Sequence, residues 1–355
     1  MHNFRFEVKP LLRLILFLIG ALIINWLLSF IFIDARQFSR WQQNDLQKQK
    51  YDVCILGSSE AACDFDVKVI SHELDCQVLN MGGNAINLEH GVMAKFIQLL
   101  KYQRPSKIIL TLDLDYKEYG IESVEGYGYN ICSMDSWPAR IYYYLSCAFD
   151  GNLISRTFIW PTIVSKKPAD WIESIKIKLS DEYMNYDKEI VRQNRYRIYS
   201  ENGFTPYIDV HNEEFYDDLY DEKNKNSGNK INYDIRVDRN YYPEAVLKMI
   251  ARMCDINGTE LILVVMPITD MEIINSGVDY DNFHKEFMIL EKELGVRCID
   301  SNLLKKAFWS NDVKYYYDWH HLNYIGAGKF SKAVCDVINS NGSECYYSSY
   351  YDKIN

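Results

Sequence analysis

The chain of 355 residues has no concentrated basic segment: its formal net charge is −10, and it carries no Lys- and Arg-rich tail. Phosphate backbones are bound by clustered cations, so this balance argues against a nucleic-acid partner. Nine cysteines are present, yet none falls in a C-x-x-C spacing. An odd number cannot all pair, and the spacings give neither a disulfide framework nor a zinc site. Cys54 and Cys298 lie in apolar runs and read as small buried hydrophobes. No cofactor or metal is expected. So many free thiols suit a reducing compartment better than an oxidising one.

Charge is also missing from residues 14–33, which read LILFLIGALIINWLLSFIFI. Twenty uncharged residues are enough to span a bilayer core as a helix. A cleaved signal peptide fits less well, because the run is long and no small-x-small site follows it. A buried soluble helix fits less well still, since such helices seldom stay apolar all round. One N-terminal transmembrane helix, with membrane lipid as its partner, is therefore expected. Arg5, Lys9 and Arg13 precede it and Asp34, Arg36 and Arg40 follow, so flanking charge hardly orients it.

Residues 37–50 are polar and Gln-rich and read as a linker. Strands and helices then alternate. Strands are expected at 51–56, 77–81 and 107–114, with helices at 65–74 and 88–100. The last strand, KIILTLDL, is nearly continuous in apolar character, as in a parallel sheet covered on both faces. From 118 to 240 the alternation stops. This stretch is rich in tyrosine and charge and reads as a large helical insertion, with a polar loop at 221–232. Its tyrosines could stack on sugar rings, but the expectation is amphipathic packing. The alternation resumes with helices at 243–254, 283–294 and 325–338 and strands at 261–266 and 296–299. This pattern predicts an α/β fold, a doubly wound and mostly parallel sheet in three layers. The domain would run from 51 to 340, and the tail 341–355 carries no clear pattern.

Three short motifs follow strand-like runs. Gly57-Ser58-Ser59 comes after the first, where open α/β sheets bind their ligands. Ser59 could act as a nucleophile, or the motif could be a simple turn and helix cap. Asn80-Met81-Gly82-Gly83-Asn84-Ala85 comes after the second. Its backbone N–H groups and the Asn84 amide could reach a developing oxyanion, or the glycines could serve a turn alone. Asp318-Trp319-His320-His321-Leu322-Asn323 precedes the last helix. A histidine three residues after an aspartate can take a proton while the carboxylate holds its other nitrogen. Of the adjacent pair, His321 is the choice, because it leads into the Gly326-Ala327-Gly328 helix start; His320 is the rival. Asp113 and Asp115 could be paired acids, but carboxylates at strand ends commonly cap turns.

In this order, Gly-x-Ser, Asn-x-Gly and Asp-x-x-His-Leu-Asn, the chain resembles the SGNH (GDSL-like) hydrolase superfamily. It is most similar to the membrane-anchored branch that includes proteins of envelope polysaccharide O-acetylation and teichoic-acid D-alanylation. The resemblance covers about 51–115 and 261–338. It implies Ser59 as nucleophile, His321 as base and Asp318 as its orienting carboxylate. Gly83, Asn84 and Ala85 would line the oxyanion side. The implied activity is acyl transfer or ester hydrolysis on an acyl-bearing glycan or glycolipid, acetyl being the favoured group. A multispanning acyl-donor protein is the implied partner, and an extracytoplasmic domain the implied topology. Two positions depart from the family pattern. Ala85 stands where a glycine is usual, and Asp115 stands where an asparagine supplies an amide donor. A carboxylate cannot donate, so Asn84 would have to substitute, Asp115 would have to be protonated, or the hole would be incomplete.

Overall fold

The computed structural model describes residues 8–114, 116, 120, 122–148, 153–163, 168–192, 197–211, 241–340 and 343–354. Asp115 and the polar stretch 221–232 lie outside the described residues. Five strands make one all-parallel sheet in the order β2-β1-β3-β4-β5. They are β1 (Val53–Leu56), β2 (Val78–Asn80), β3 (Lys107–Leu112), β4 (Glu260–Val265) and β5 (Arg297–Asp300). Val53 stands opposite both Val78 and Lys107, Lys107 opposite Glu260, and Ile262 opposite Arg297. The chain is thus α/β, as its strand–helix alternation predicts.

Period-two alternation sorts the strand side chains onto two covered faces. Leu56, Ile108, Leu110, Leu261 and Leu263 meet Phe96, Leu247 and Phe287. These three come from helices Met93–Tyr102, Tyr241–Ile256 and Tyr280–Leu294. Val53, Ile55, Ile109, Ile262 and Val264 point the other way, onto Phe65, Ile70, Phe330 and Val334. Helices Val67–Leu74 and Tyr324–Asn339 pack together on that face. Each fully buried Leu, Ile or Phe contributes about 1.5–3 kcal/mol, so the two faces supply most of the fold's stability.

The stretch read as a linker is instead a docked helix, Phe38–Lys48. Trp41 and Leu46 are fully buried. Gln42, Gln43 and Asp45 are buried too, and each accepts or donates at least one hydrogen bond. Gln42 donates to the Gly82 carbonyl at 2.8 Å, and Asp45 accepts from the Tyr199 hydroxyl at 2.7 Å. Polar composition suggested exposure; satisfied hydrogen bonds allow burial instead. The described parts of the insertion up to Arg192 are mostly helical, from Val124–Ile131 to Glu189–Arg192, whereas 197–211 contains no helix. The tail forms a short helix, Tyr350–Ile354, whose Tyr350 ring lies 5.0 Å from that of Tyr280. One N-terminal helix, Val8–Phe32, is long and apolar enough to cross a membrane.

The insertion is tied to the sheet by a strap, residues 197–211. Asn80 donates to the Asn202 carbonyl at 2.7 Å and Thr205 to the Ala62 carbonyl at 2.8 Å. Gly203 adopts φ +86°, and a Cβ there would collide with the Asn80 carbonyl. Gly203→Ala should therefore destabilise by about 2–4 kcal/mol, from left-handed strain plus a backbone clash. Thermal unfolding of the full chain measures this; an unchanged Tm would mean the strap is not seated on β2.

Candidate active site

In the order β2-β1-β3, the chain leaves β1 toward one neighbour and returns on the other side. Crevices at such switch points lie beyond the carboxyl ends of the strands. Gly57-Ser58-Ser59 occupies that point. Gly57 needs to be glycine, because a Cβ would strike the Thr111 side chain on β3. The turn feeds the short helix Ser59–Asp64, where Ser59 takes the first position. Its N–H there has no intrahelical acceptor. Ser58 stands at the cap position but turns its hydroxyl to Asp113, 3.2 Å away at the end of β3.

The second stretch arrives from the far end of the chain. Tyr317 donates to the His321 carbonyl at 2.8 Å, closing a tight turn. Asp318 Oδ1 accepts from the His320 and His321 N–H groups at 2.9 and 2.8 Å. Asn323 caps the following helix, Tyr324–Asn339, accepting from Ile325 and Gly326 at 3.1 and 3.0 Å. Its amide also donates to the Lys314 carbonyl at 2.8 Å, so one buried side chain fixes both the turn and the helix. Leu322 inserts into the core and donates its N–H to Asp64 at 2.9 Å.

These two stretches converge. Ser59 Oγ lies 2.8 Å from His321 Nε2. His321 Nδ1 lies 2.9 Å from Asp318 Oδ2. The ring that reaches Ser59 is that of His321. His320 is half exposed and faces Glu60 and Glu272, at 3.9 and 3.8 Å. Burial pushes the Asp318 carboxyl up, but hydrogen bonds and attraction from His321 outweigh it and hold its pKa at about 2. It therefore stays ionised and can fix the ring with Nδ1 as the donor. A hydroxyl, imidazole and carboxylate in this line can deprotonate serine as it attacks an acyl carbon.

The oxyanion side is less uniform. Gly83 donates its N–H to the Gly57 carbonyl at 3.0 Å, so that donor is already taken. Asn84 accepts at Oδ1 from Arg197 Nη1 at 2.7 Å, which leaves Nδ2 as its donor end. Ala85 is exposed with φ 51°, the left-handed region that a glycine adopts without strain. The alanine keeps the same N–H at a backbone cost of about 1–2 kcal/mol. A cavity beside Ser58, lined by Ile86, Asn87, Thr111, Asp113 and Tyr116, offers room for a small acyl group. A larger concavity near Arg252 and Arg297 lies at the opposite end of the strands and does not touch Ser59.

Sequence reasoning missed three groups that build the site. Arg197 is buried against the Phe38 and Tyr207 rings, 5.4 and 5.1 Å from their centroids. Tyr207 stacks on Tyr317 at 3.9 Å and leans on the His321 ring at 5.3 Å. Nothing in a tyrosine-rich insertion marked that one ring. Asp64 is the third: fully buried, five residues after Ser59, and bonded to the histidine turn. Burial raises its pKa well above the carboxylate range, against the lowering effect of the Leu322 N–H. Among the described residues, no group of three His, Cys, Asp or Glu could hold a metal ion. The chain matches no protein-family model, and no curated protein is significantly similar to it.

The two neighbouring carboxyls shift in opposite directions, which predicts opposite pH signatures. Asp318 has a depressed pKa, so its stabilisation is present above about pH 4 and fades as pH falls toward about 2. The stability gap between wild type and Asp318→Asn should close over that range. Asp64 has a raised pKa, so wild type loses stability as pH rises above about 4. Asp64→Asn keeps an acceptor for Leu322 and should gain on wild type as pH rises. Denaturant unfolding from pH 2 to 8 reads both; parallel curves for either pair would contradict the assigned shift.

Proposed function

We propose that this chain is a serine-dependent acyltransferase or esterase that acts through an acyl-enzyme on Ser59. The observation that carries this reading is the 2.8 Å contact between Ser59 Oγ and His321 Nε2, with Asp318 behind the ring. His321 takes the serine proton during attack and returns it to the leaving group. Asp318 holds the ring and balances the imidazolium. The N–H groups of Ser59 and Ala85, with the Asn84 amide, are the donors for the tetrahedral oxyanion. Water as acceptor gives hydrolysis; a sugar hydroxyl gives transfer.

The finer assignment rests on the resemblance to SGNH hydrolases and their three-layer α/β/α architecture. It assigns the substrate as an acyl ester, acetyl by preference, of a cell-envelope glycan or glycolipid. It also assigns a multispanning membrane partner as acyl donor and an extracytoplasmic domain behind a single membrane span. A five-stranded parallel sheet with helices on both faces supports that architecture. A second reading is a catalytically silent relative that binds glycan or scaffolds an assembly complex. One observation favours it: the Gly83 N–H is consumed by Gly57, which thins the oxyanion hole.

Incubating the purified full-length chain with p-nitrophenyl acetate should give a burst of p-nitrophenol and an acetyl group on Ser59. Ser59→Ala and His321→Ala should each lower turnover about 10³-fold or more. Asn84→Ala, removing one oxyanion donor, should lower it about 10²-fold or more. Equal turnover by wild type and Ser59→Ala, with glycan binding intact, would select the silent reading.

A further inference from the structure

We propose that the insertion carries a second membrane-contact face, which lies against the same bilayer as the N-terminal helix and immerses part of the insertion in it. This goes beyond the acyl-transfer reading and does not depend on it; it depends only on helix Val8–Phe32 occupying a bilayer.

The N-terminal helix does not leave the domain cleanly at its last residue. Its Asn25 side chain donates to the Thr157 carbonyl at 2.9 Å. Asn25 precedes the helix end at Phe32 by seven residues, about 10 Å along the axis. The uncharged run 14–33 spans a hydrocarbon core of about 30 Å with little to spare. A segment bonded to Asn25 therefore sits below the level at which the helix emerges. That segment includes helix Leu153–Thr157, in which Arg156 turns inward to the Glu122 and Ser123 carbonyls. Its outward side chains are apolar: Ile154 is 78% exposed and Leu153 is 53% exposed.

Neighbouring helices extend the face. Tyr144 bonds Thr157 at 2.8 Å from helix Trp137–Cys147. On that helix Trp137, Ile141 and Leu145 recur at a spacing of four and are all exposed, Trp137 to 72%. Helix Pro168–Lys178 packs on the end of the N-terminal helix: Lys178 donates to the Phe30 carbonyl, Ser174 to the Ile33 carbonyl just beyond the helix, and the Trp171 ring lies 4.8 Å from Phe32. It presents Ile172, which is also exposed. Soluble surfaces scatter single hydrophobes, whereas a contiguous apolar face marks a binding surface. Three of the seven tryptophans, Trp26, Trp160 and Trp171, lie on or against the N-terminal helix, and Trp137 stands exposed on the neighbouring helix. Such enrichment is the habit of residues at a membrane interface. Interfacial helices bury their apolar side about 5–10 Å deep, which matches the depth set by the Asn25 contact. The occupant is therefore lipid, because the face continues the surface of a helix already suited to lipid.

The test uses the full-length chain in phosphatidylcholine vesicles, with an NBD fluorophore on single introduced cysteines. Cys132→Ser removes the exposed native thiol, and the unsubstituted parent sets the labelling background. Ile154→Cys and Trp137→Cys report the face, Ile23→Cys reports the N-terminal helix, and Ile256→Cys is an equally exposed control far from both. Acyl-brominated lipid should quench positions 154, 137 and 23, while aqueous iodide quenches only 256. Iodide quenching at 154 and 137, with lipid quenching kept at 23, would overturn the proposal while leaving the membrane span intact. Protection of 154 and 137 from both quenchers would overturn it in favour of a protein occupant. Loss of lipid quenching at 23 would overturn the span and the proposal together. An intact Trp137→Phe variant, losing lipid-quenched tryptophan emission relative to wild type, gives the same reading without labels.

Discussion

The junction between helix Ser59–Asp64 and the turn that ends at Asn323 is the constraint on which the rest depends. Ser59 touches His321 at the first residue of that helix, and Asp64 receives the Leu322 N–H at its last. One short helix thus grips the histidine turn at two points, across 262 and 258 residues of chain. A hydrogen bond between two flexible side chains would scarcely hold such a geometry alone. Burial does the holding: Leu322 and Trp319 sit in the same apolar cluster as Phe65 and Phe330. The polar contacts then choose one register among the arrangements that burial allows.

The sheet explains why the site forms at this rim. Loops at the carboxyl ends of β1, β2 and β3 meet at the point where strand order reverses. The strap closes the arrangement from outside the sheet. Arg197 links the β2 loop, through Asn84, to the ring of Tyr207, which leans on His321. The insertion is therefore part of the site's wall, and it also packs on the end of the N-terminal helix through Ser174 and Lys178. Phe38, only six residues beyond that helix, touches Arg197. The Ser59–His321 groove, the insertion and the membrane-suited helix are thus joined by direct contacts.

Much of the fold is legible in the sequence because parallel strands buried on both faces leave runs such as KIILTL and ELILVV, which few other structures produce. The triad residues are legible because each sits in a short motif after a strand or before a helix. His321 could be preferred to His320 because its turn leads directly into a helix. What escapes is whatever depends on partners distant in sequence. Residues 37–50 look solvated because Gln42 and Asp45 are polar, yet carbonyls and hydroxyls from β2 and the strap satisfy them. Arg197, Tyr207 and Asp64 carry no local signature; only the strap's path brings the first two beside Asn84 and His321. Asp115, the most discordant residue against the family resemblance, lies outside the described residues.

The central claim is that His321 activates Ser59 by direct contact. Labelling the full-length chain with a fluorophosphonate, which reacts with activated serine hydroxyls, tests it most directly. The account predicts one adduct, on Ser59, whose formation collapses in His321→Ala and persists in His320→Ala. Equal labelling in both variants, or an adduct on any other residue, would contradict it.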